Sequence, residues 1–129
     1  MKKIFRKLNF FAGTFSFIFF IYTGIYLINK SYIKDDFWHM SARANHIYIL
    51  MISLINFLFH KIKNNNTFLH DILSRIIVLL SAILCCFGFY METGEKIGKR
   101  KIVPLSVGIV FFGVLLFLVT SNKNRKKIK

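Results

Sequence analysis

Acidic residues are scarce in this chain of 129 residues, with five aspartates and glutamates against nineteen lysines and arginines. Proline occurs once, and the two cysteines are adjacent, as Cys85 and Cys86. Adjacent side chains point about 100° apart on a helix, so this pair excludes a CxxC metal or redox motif and disfavours a disulfide between the two. The formal charge of +14 coexists with a hydrophobic share of 55%. Long uncharged stretches exclude an ordinary basic soluble protein and are typical of a membrane protein.

Four stretches are long and apolar enough to cross a hydrocarbon core of about 30 Å, which needs about 20 helical residues. They are predicted at about 8–28, 37–61, 68–91 and 102–120. They occupy almost all of residues 1–121, so no room is left for a soluble catalytic domain, and the basic stretch 122–129 is predicted to be a cytoplasmic tail. The sequence therefore predicts an all-α fold, an integral membrane four-helix bundle.

Local signals mark two helix starts. Asp35 or Asp36 is a good N-cap for the second helix, since a short carboxylate can accept from the first free backbone N–H groups. Pro104 is predicted in the first turn of the fourth helix, where its missing N–H does no harm.

Positive charges indicate the orientation. The side that carries both termini and the loop between the second and third helices holds more lysine and arginine than the other side. Cytoplasmic loops are enriched in these residues, so both termini are predicted to lie in the cytoplasm. We call this the inner end of the bundle and the opposite end the outer end. The basic blocks flank the spans, so anionic lipid, and not nucleic acid, is their expected partner.

Small and polar residues repeat along the apolar helices at seven-residue spacing. The repeat is clearest in the second and fourth helices: His39, His46, Ser53 and His60, and Ser106, Gly113 and Thr120. Small residues let helix backbones approach and polar ones bond across helices, so these faces are predicted to pack inside the bundle.

Ionisable side chains define a predicted inner polar cluster. By helical rise Arg75 lies about 10 Å into the membrane, where an unpaired guanidinium is costly. Asp71, four residues earlier on the same helix, is its predicted partner. Two interpretations stay open, an ion pair that holds the second helix to the third and part of a binding or transport site. The inner polar cluster comprises Asn56, His60, His70, Asp71 and Arg75.

A second group of polar residues is predicted at the outer end. It is either a cavity that holds a small ligand, a lipid headgroup or a soft metal, or a cap of solvated residues at the membrane surface. This outer polar cluster comprises His39, Arg43, Asn45, His46, Cys85 and Glu92.

No cofactor and no catalytic residue are predicted. A soft metal on Cys85 and His46 lacks further ligands at suitable spacing. Haem needs two histidines from different helices at one depth, and only His60 and His70 could pair, close to the surface. The sequence contains no GxSxG or HExxH motif and no glycine-rich phosphate loop.

The stretch NHIYIL at 45–50 opens the second helix. Asn56 follows a few turns later, and Arg75 lies near the start of the third helix. This pattern resembles short bacterial four-span inner-membrane proteins of unassigned activity. The resemblance implies a multi-pass protein of the bacterial cytoplasmic membrane and implies no activity.

Together these features predict a small multi-pass membrane protein that is a non-enzymatic accessory or scaffold subunit, or that binds a small ligand. The alternative is a proton- or ion-coupled transporter of small solutes that acts as an oligomer, since titratable groups occur at both ends of the polar face. The expected partners are the lipid bilayer, a second copy of the chain or a partner membrane protein.

Overall fold

A computed structural model gives the fold and describes residues 2–31, 33, 35–62, 68–93 and 99–125. These residues form four α-helices and no strand, which confirms the all-α prediction. The helices are α1 Lys2–Asn29, α2 Asp36–Lys61, α3 Phe68–Glu92 and α4 Ile102–Arg125. Each contains a segment long and apolar enough to cross a membrane.

Two helices are longer than the apolar stretches that mark them in the sequence. α1 begins at Lys2 and α4 continues to Arg125, both within basic sequence. Hydrophobicity marks only the part of a helix that lies in the hydrocarbon. Lysine and arginine are good helix formers in water, so a helix can continue beyond that part. The predicted tail 122–129 therefore starts as the last turn of α4, and its residues 126–129 lie outside the described part of the chain.

The first turn of α2 is capped as predicted. Asp35 Oδ1 accepts hydrogen bonds from the backbone N–H groups of Phe37 at 2.9 Å and Trp38 at 3.3 Å. In α4, Pro104 lies in the first turn, also as predicted. Both signals act locally, so they could be read without knowledge of the bundle.

The helices pack as two hairpins, α1 with α2 and α3 with α4, and contacts of α3 with α2 and α1 join the two hairpins. α1 packs mainly against α2, and α4 mainly against α3. α2 and α3 also contact each other, and α1 reaches α3. α2 and α4 barely touch, so the surface between them holds a groove whose outer part is lined by Tyr48, Pro104 and Val107.

The interior contains few large side chains, and the outer surface is strongly apolar. Ile49, Ile52 and Val78 are fully buried where α2 meets α3. Phe11 and Ile83 are each about two thirds exposed, and they belong to an exposed apolar surface that covers all four helices. A continuous apolar surface of this extent is unstable in water and is what a bilayer covers.

Two glycines allow α3 and α4 to approach closely. A Cβ placed on Gly88 would lie 2.7 Å from Val103 Cγ2 and 3.3 Å from the Val103 backbone nitrogen. A Cβ on Gly113 would lie 2.9 Å from Ile77 Cγ2. Any larger residue at these positions therefore pushes the two helices apart.

Gly88→Ala is expected to destabilise the bundle by about 1–3 kcal/mol, because the added methyl group overlaps α4. The matched control is Gly108→Ala, since a Cβ on Gly108 meets no atom within 4 Å. That control should be neutral or slightly stabilising, because alanine favours a helix over glycine. Thermal unfolding in a mild detergent measures both. Equal melting temperatures for the two variants would contradict the close approach of α3 and α4.

Candidate functional site

Arg75 is the central residue of the inner polar cluster, and it joins α3 to the end of α2. It is 1% exposed, and its Nε donates to Asp71 Oδ2 at 3.1 Å. Its two terminal nitrogens donate to backbone carbonyls at the end of α2. One bond goes to the carbonyl of Phe59, and the other goes to that of the C-cap residue Ile62 at 3.0 Å. α2 ends at Lys61, so Arg75 supplies partners to carbonyls that the helix itself leaves free.

This arrangement favours the structural interpretation of the Asp71–Arg75 pair. The C-terminal end of a helix carries partial negative charge, which a guanidinium neutralises. Asp71 is 2% exposed and holds Arg75 in place through one carboxylate oxygen, while Oδ1 has no partner among the described residues. The buried pair thus orients the guanidinium toward α2.

Asn56 contacts α1 instead of α3. Its Oδ1 accepts from Asn9 Nδ2 at 3.0 Å, and its own Nδ2 donates to the carbonyl of Ile52 at 3.0 Å. Both asparagines are fully buried. One turn closer to the outer end, Ser53 of α2 donates to the carbonyl of Gly13 of α1 at 2.8 Å. The sequence analysis missed Asn9, although its spacing to Gly13 places it on the same helix face.

His60 forms a reciprocal pair with Arg6 near the inner end of α1. Arg6 Nε donates to the His60 carbonyl at 3.0 Å, and His60 Nδ1 lies 3.0 Å from the Arg6 carbonyl. A carbonyl only accepts, so His60 Nδ1 carries a hydrogen. The fifth predicted member, His70, is half-buried beside Asp71 on α3. Thus Asn56 and His60 fasten α2 to α1, while Asp71 and Arg75 fasten α3 to α2.

At the outer end, His46 is directed at α1. Its Nδ1 lies 2.8 Å from Thr23 Oγ1, and its ring stacks on Phe20 with centroids 4.0 Å apart. The Thr23 hydroxyl donates to the Phe20 carbonyl at 3.0 Å, so His46 Nδ1 is the donor to Thr23. A Cβ on Gly24 would lie 3.2 Å from His46 Cε1, so this glycine makes room for the ring.

His39 and Arg43 lie where α1 ends and α2 begins. His39 Nε2 lies 2.6 Å from the carbonyl of Ile33 and therefore secures the connection between the two helices. Both side chains line an open notch of about 290 Å³, together with Ser31 and the last turns of α1. Arg43 is exposed there.

Glu92 caps the start of α4. It is 5% exposed, its Oε1 accepts from the backbone N–H groups of Lys101 and Ile102, and its Oε2 accepts from that of Val103 at 2.8 Å. One carboxylate from α3 thus accepts hydrogen bonds from three backbone N–H groups at the start of α4, at the positive end of the α4 dipole. Glu92 serves as a link between the helices.

Cys85 faces α4, away from His46. Its thiol contacts the Ser106 side chain, and the Ser106 hydroxyl itself donates to the Val103 carbonyl at 2.7 Å. The structure therefore does not bring Cys85 and His46 together, although both have the same depth by helical rise. In the described part of the chain, no three His, Cys, Asp or Glu side chains come close enough to hold a metal ion.

Asn45 is a buried member of the outer polar cluster with unused hydrogen-bonding capacity. It is fully buried, and its Oδ1 accepts from a terminal nitrogen of Arg100. Neither Asn45 Nδ2 nor Arg100 Nε has a partner among the described residues, and both atoms are buried. One turn earlier on α2, the buried Ser41 hydroxyl also has none.

A cavity of about 390 Å³ lies next to Arg100, the outer member of this pair. Arg100 lines it, together with Tyr48 from α2 and Pro104 and Val107 from α4. Arg100 is not among the residues that the sequence predicts for the outer polar cluster. No spacing rule could have found it, because 55 residues separate it from Asn45. We call Asn45, Arg100 and the cavity beside them the outer site.

Comparison of the chain with models of protein families, with curated proteins and with solved structures found no match.

Proposed function

We propose that this chain is a non-enzymatic protein of the bacterial inner membrane, with both termini in the cytoplasm, and that it binds a small ligand at the outer site. The observation that carries the proposal is a difference between the two ends of the bundle. At the inner end the polar side chains bond helix to helix, and the buried atoms left unpaired among the described residues, Asn9 Oδ1 and Asp71 Oδ1, are acceptors, whereas the outer site has buried donors without partners.

Among the described residues of the inner polar cluster, the buried atom without a partner is Asp71 Oδ1, which is an acceptor. The three guanidinium nitrogens of Arg75 each donate to α2 or to Asp71. His60 and Asn56 are bonded to α1. A buried polar group is costly in a membrane unless it is bonded, and the interhelical bonds account for these residues as structural elements.

The outer site is different, because Asn45 Nδ2 and Arg100 Nε remain unpaired among the described residues and Arg100 lines an open cavity. A buried donor without a partner costs about 1–3 kcal/mol. A ligand that accepts from both donors removes that cost and gains affinity by the same amount. Convergent polar groups beside an apolar cavity are the usual form of a small-molecule site.

The packing between the two ends favours binding over transport. Ile49, Ile52 and Val78 are fully buried between the inner and outer clusters. The titratable groups that a transport path would use, His46 and Glu92 at the outer end and His60 and Asp71 at the inner end, are engaged in contacts between helices, with backbone or with Arg75. For a scaffold role there is no comparable observation.

Native mass spectrometry tests the proposal on protein purified from its own membrane in a mild detergent. We expect a stoichiometric non-covalent mass on the unaltered chain, and a loss of about tenfold or more in its retention in Arg100→Gln. Lys99→Gln is the matched control, because it removes the same charge from an exposed neighbouring side chain and should retain the ligand. A bare chain in every case, or equal retention in Arg100→Gln, would overturn ligand binding at the outer site.

A further inference from the structure

We infer that the ligand of the outer site is an anionic phospholipid, whose phosphate is bound by Arg100 and Asn45 and whose acyl chain lies between α2 and α4. The inference rests on the proposed function and names the class of ligand. Three features of the site lead to it: the type of hydrogen-bonding group on offer, the charge around it and the shape of the cavity.

The free groups are donors. Arg100 Nε and Asn45 Nδ2 each carry hydrogen and need an acceptor. The arginine already gives one hydrogen bond to Asn45 Oδ1, which orients its guanidinium. A phosphate offers several acceptor oxygens and a negative charge, and it forms stronger hydrogen bonds with a guanidinium than a neutral acceptor does.

The charge around the site is positive. Lys99 and Lys101 flank Arg100 and are exposed. Glu92 is near enough to interact electrostatically with Arg100, but both of its oxygens are bonded to backbone N–H groups of α4. Among the described residues near the site, three positive side chains therefore outnumber one carboxylate that has its own partners. An anionic headgroup is attracted here, and a cationic one is repelled.

The cavity gives the ligand an apolar part. Below Arg100 it is lined by Pro104 and Val107 of α4 and by Tyr48 of α2, where the two helices barely touch. Leu105, next to this wall, is 57% exposed on the lipid-facing surface. A free anion would leave the apolar walls uncovered, whereas an acyl chain enters from the bilayer and covers them.

The test uses the full chain in a neutral detergent with defined lipids added. Phosphatidylglycerol, phosphatidylcholine and glycerol phosphate are titrated separately, and bound lipid is counted by native mass spectrometry. We expect one phosphatidylglycerol per chain, with phosphatidylcholine and glycerol phosphate bound far more weakly. Arg100→Gln should weaken phosphatidylglycerol binding by about tenfold to a hundredfold. Lys61→Gln removes an exposed charge at the inner end of the bundle and should leave binding unchanged within about twofold.

A second variant keeps the test decisive if Arg100→Gln does not fold. Val107→Phe fills the apolar part of the cavity and keeps every charge, so it should exclude the lipid while the melting temperature of the lipid-free chain stays near that of the unaltered protein. Equal phosphatidylglycerol binding by the unaltered chain and both variants would overturn the inference.

The remaining outcomes are equally informative. Equal affinity for phosphatidylcholine would overturn the charge argument, and equal affinity for glycerol phosphate would assign the site to a soluble anion. If the chain from cells retains a small molecule that is not a phospholipid, the lipid assignment alone falls. A bare chain in both this experiment and the preceding one overturns the proposed function too.

Discussion

Replacing Arg75 by leucine is expected to lower the free energy of unfolding by about 3–5 kcal/mol, the usual result of removing one partner from a buried ion pair. The substitution leaves Asp71 as a buried unpaired carboxylate and takes the hydrogen-bond donors away from the carbonyls of Phe59 and Ile62. Denaturant or thermal unfolding in mild detergent measures the loss. Arg75→Lys should rescue little, because one ammonium group cannot reproduce a planar fork that reaches three acceptors.

Two controls separate the parts of this effect. The double variant with Asp71→Leu and Arg75→Leu removes the stranded charge, so it should regain part of the stability, but not the contribution of the α2 carbonyls. Lys61→Gln removes an exposed charge from the same helix end and should change stability by less than about 0.5 kcal/mol. Unchanged stability of Arg75→Leu would mean that the guanidinium does not hold α2.

Replacing Glu92 by leucine is expected to open the start of α4. The three backbone N–H groups at Lys101, Ile102 and Val103 lose their acceptor, and the Val103 amide lies in a buried position. Each buried donor without a partner costs about 1–3 kcal/mol, and the carboxylate at the positive end of the helix dipole is lost as well. We therefore expect a total destabilisation of about 3 kcal/mol or more.

Glu92→Gln is the matched variant for this site. It keeps the shape and one carbonyl oxygen but loses the charge and the second acceptor, so its effect should be about half as large. Amide hydrogen exchange at Ile102 and Val103 gives a local readout. Exchange should be fastest in the leucine variant and intermediate in the glutamine variant. Amide protection at Val103 that is equal in all three proteins would contradict the capping role of Glu92.

Some of these features could be read from the sequence because they depend on near neighbours. The Asp35 cap and the Asp71–Arg75 pair each involve residues within one helical turn, and both are present as predicted. Asn9 could also have been found, since it lies one helical turn before the small residue Gly13 in a largely apolar helix. In these cases helical spacing alone determines which side chains meet.

Other features depend on how the helices are rotated within the bundle. Helical rise gives His46 and Cys85 the same depth, but rise says nothing about direction, and the two face α1 and α4 respectively. The partners of Arg75 on α2 are backbone carbonyls, which every residue has, so no residue type signals them. The contact of Arg100 with Asn45 depends on where a loop meets a distant helix.

The capping of α2 by Arg75 also has a consequence for the order of events during synthesis. Arg75 follows Ile62 by 13 residues, so the last turn of α2 emerges from the ribosome before the side chain that completes it. At about 5–20 residues per second this delay lasts roughly one to three seconds. Until then the last carbonyls of α2 lack the hydrogen-bond donors of Arg75, and only water or the membrane insertion machinery can supply donors to them. A ribosome that pauses between α2 and α3 would prolong this exposed state.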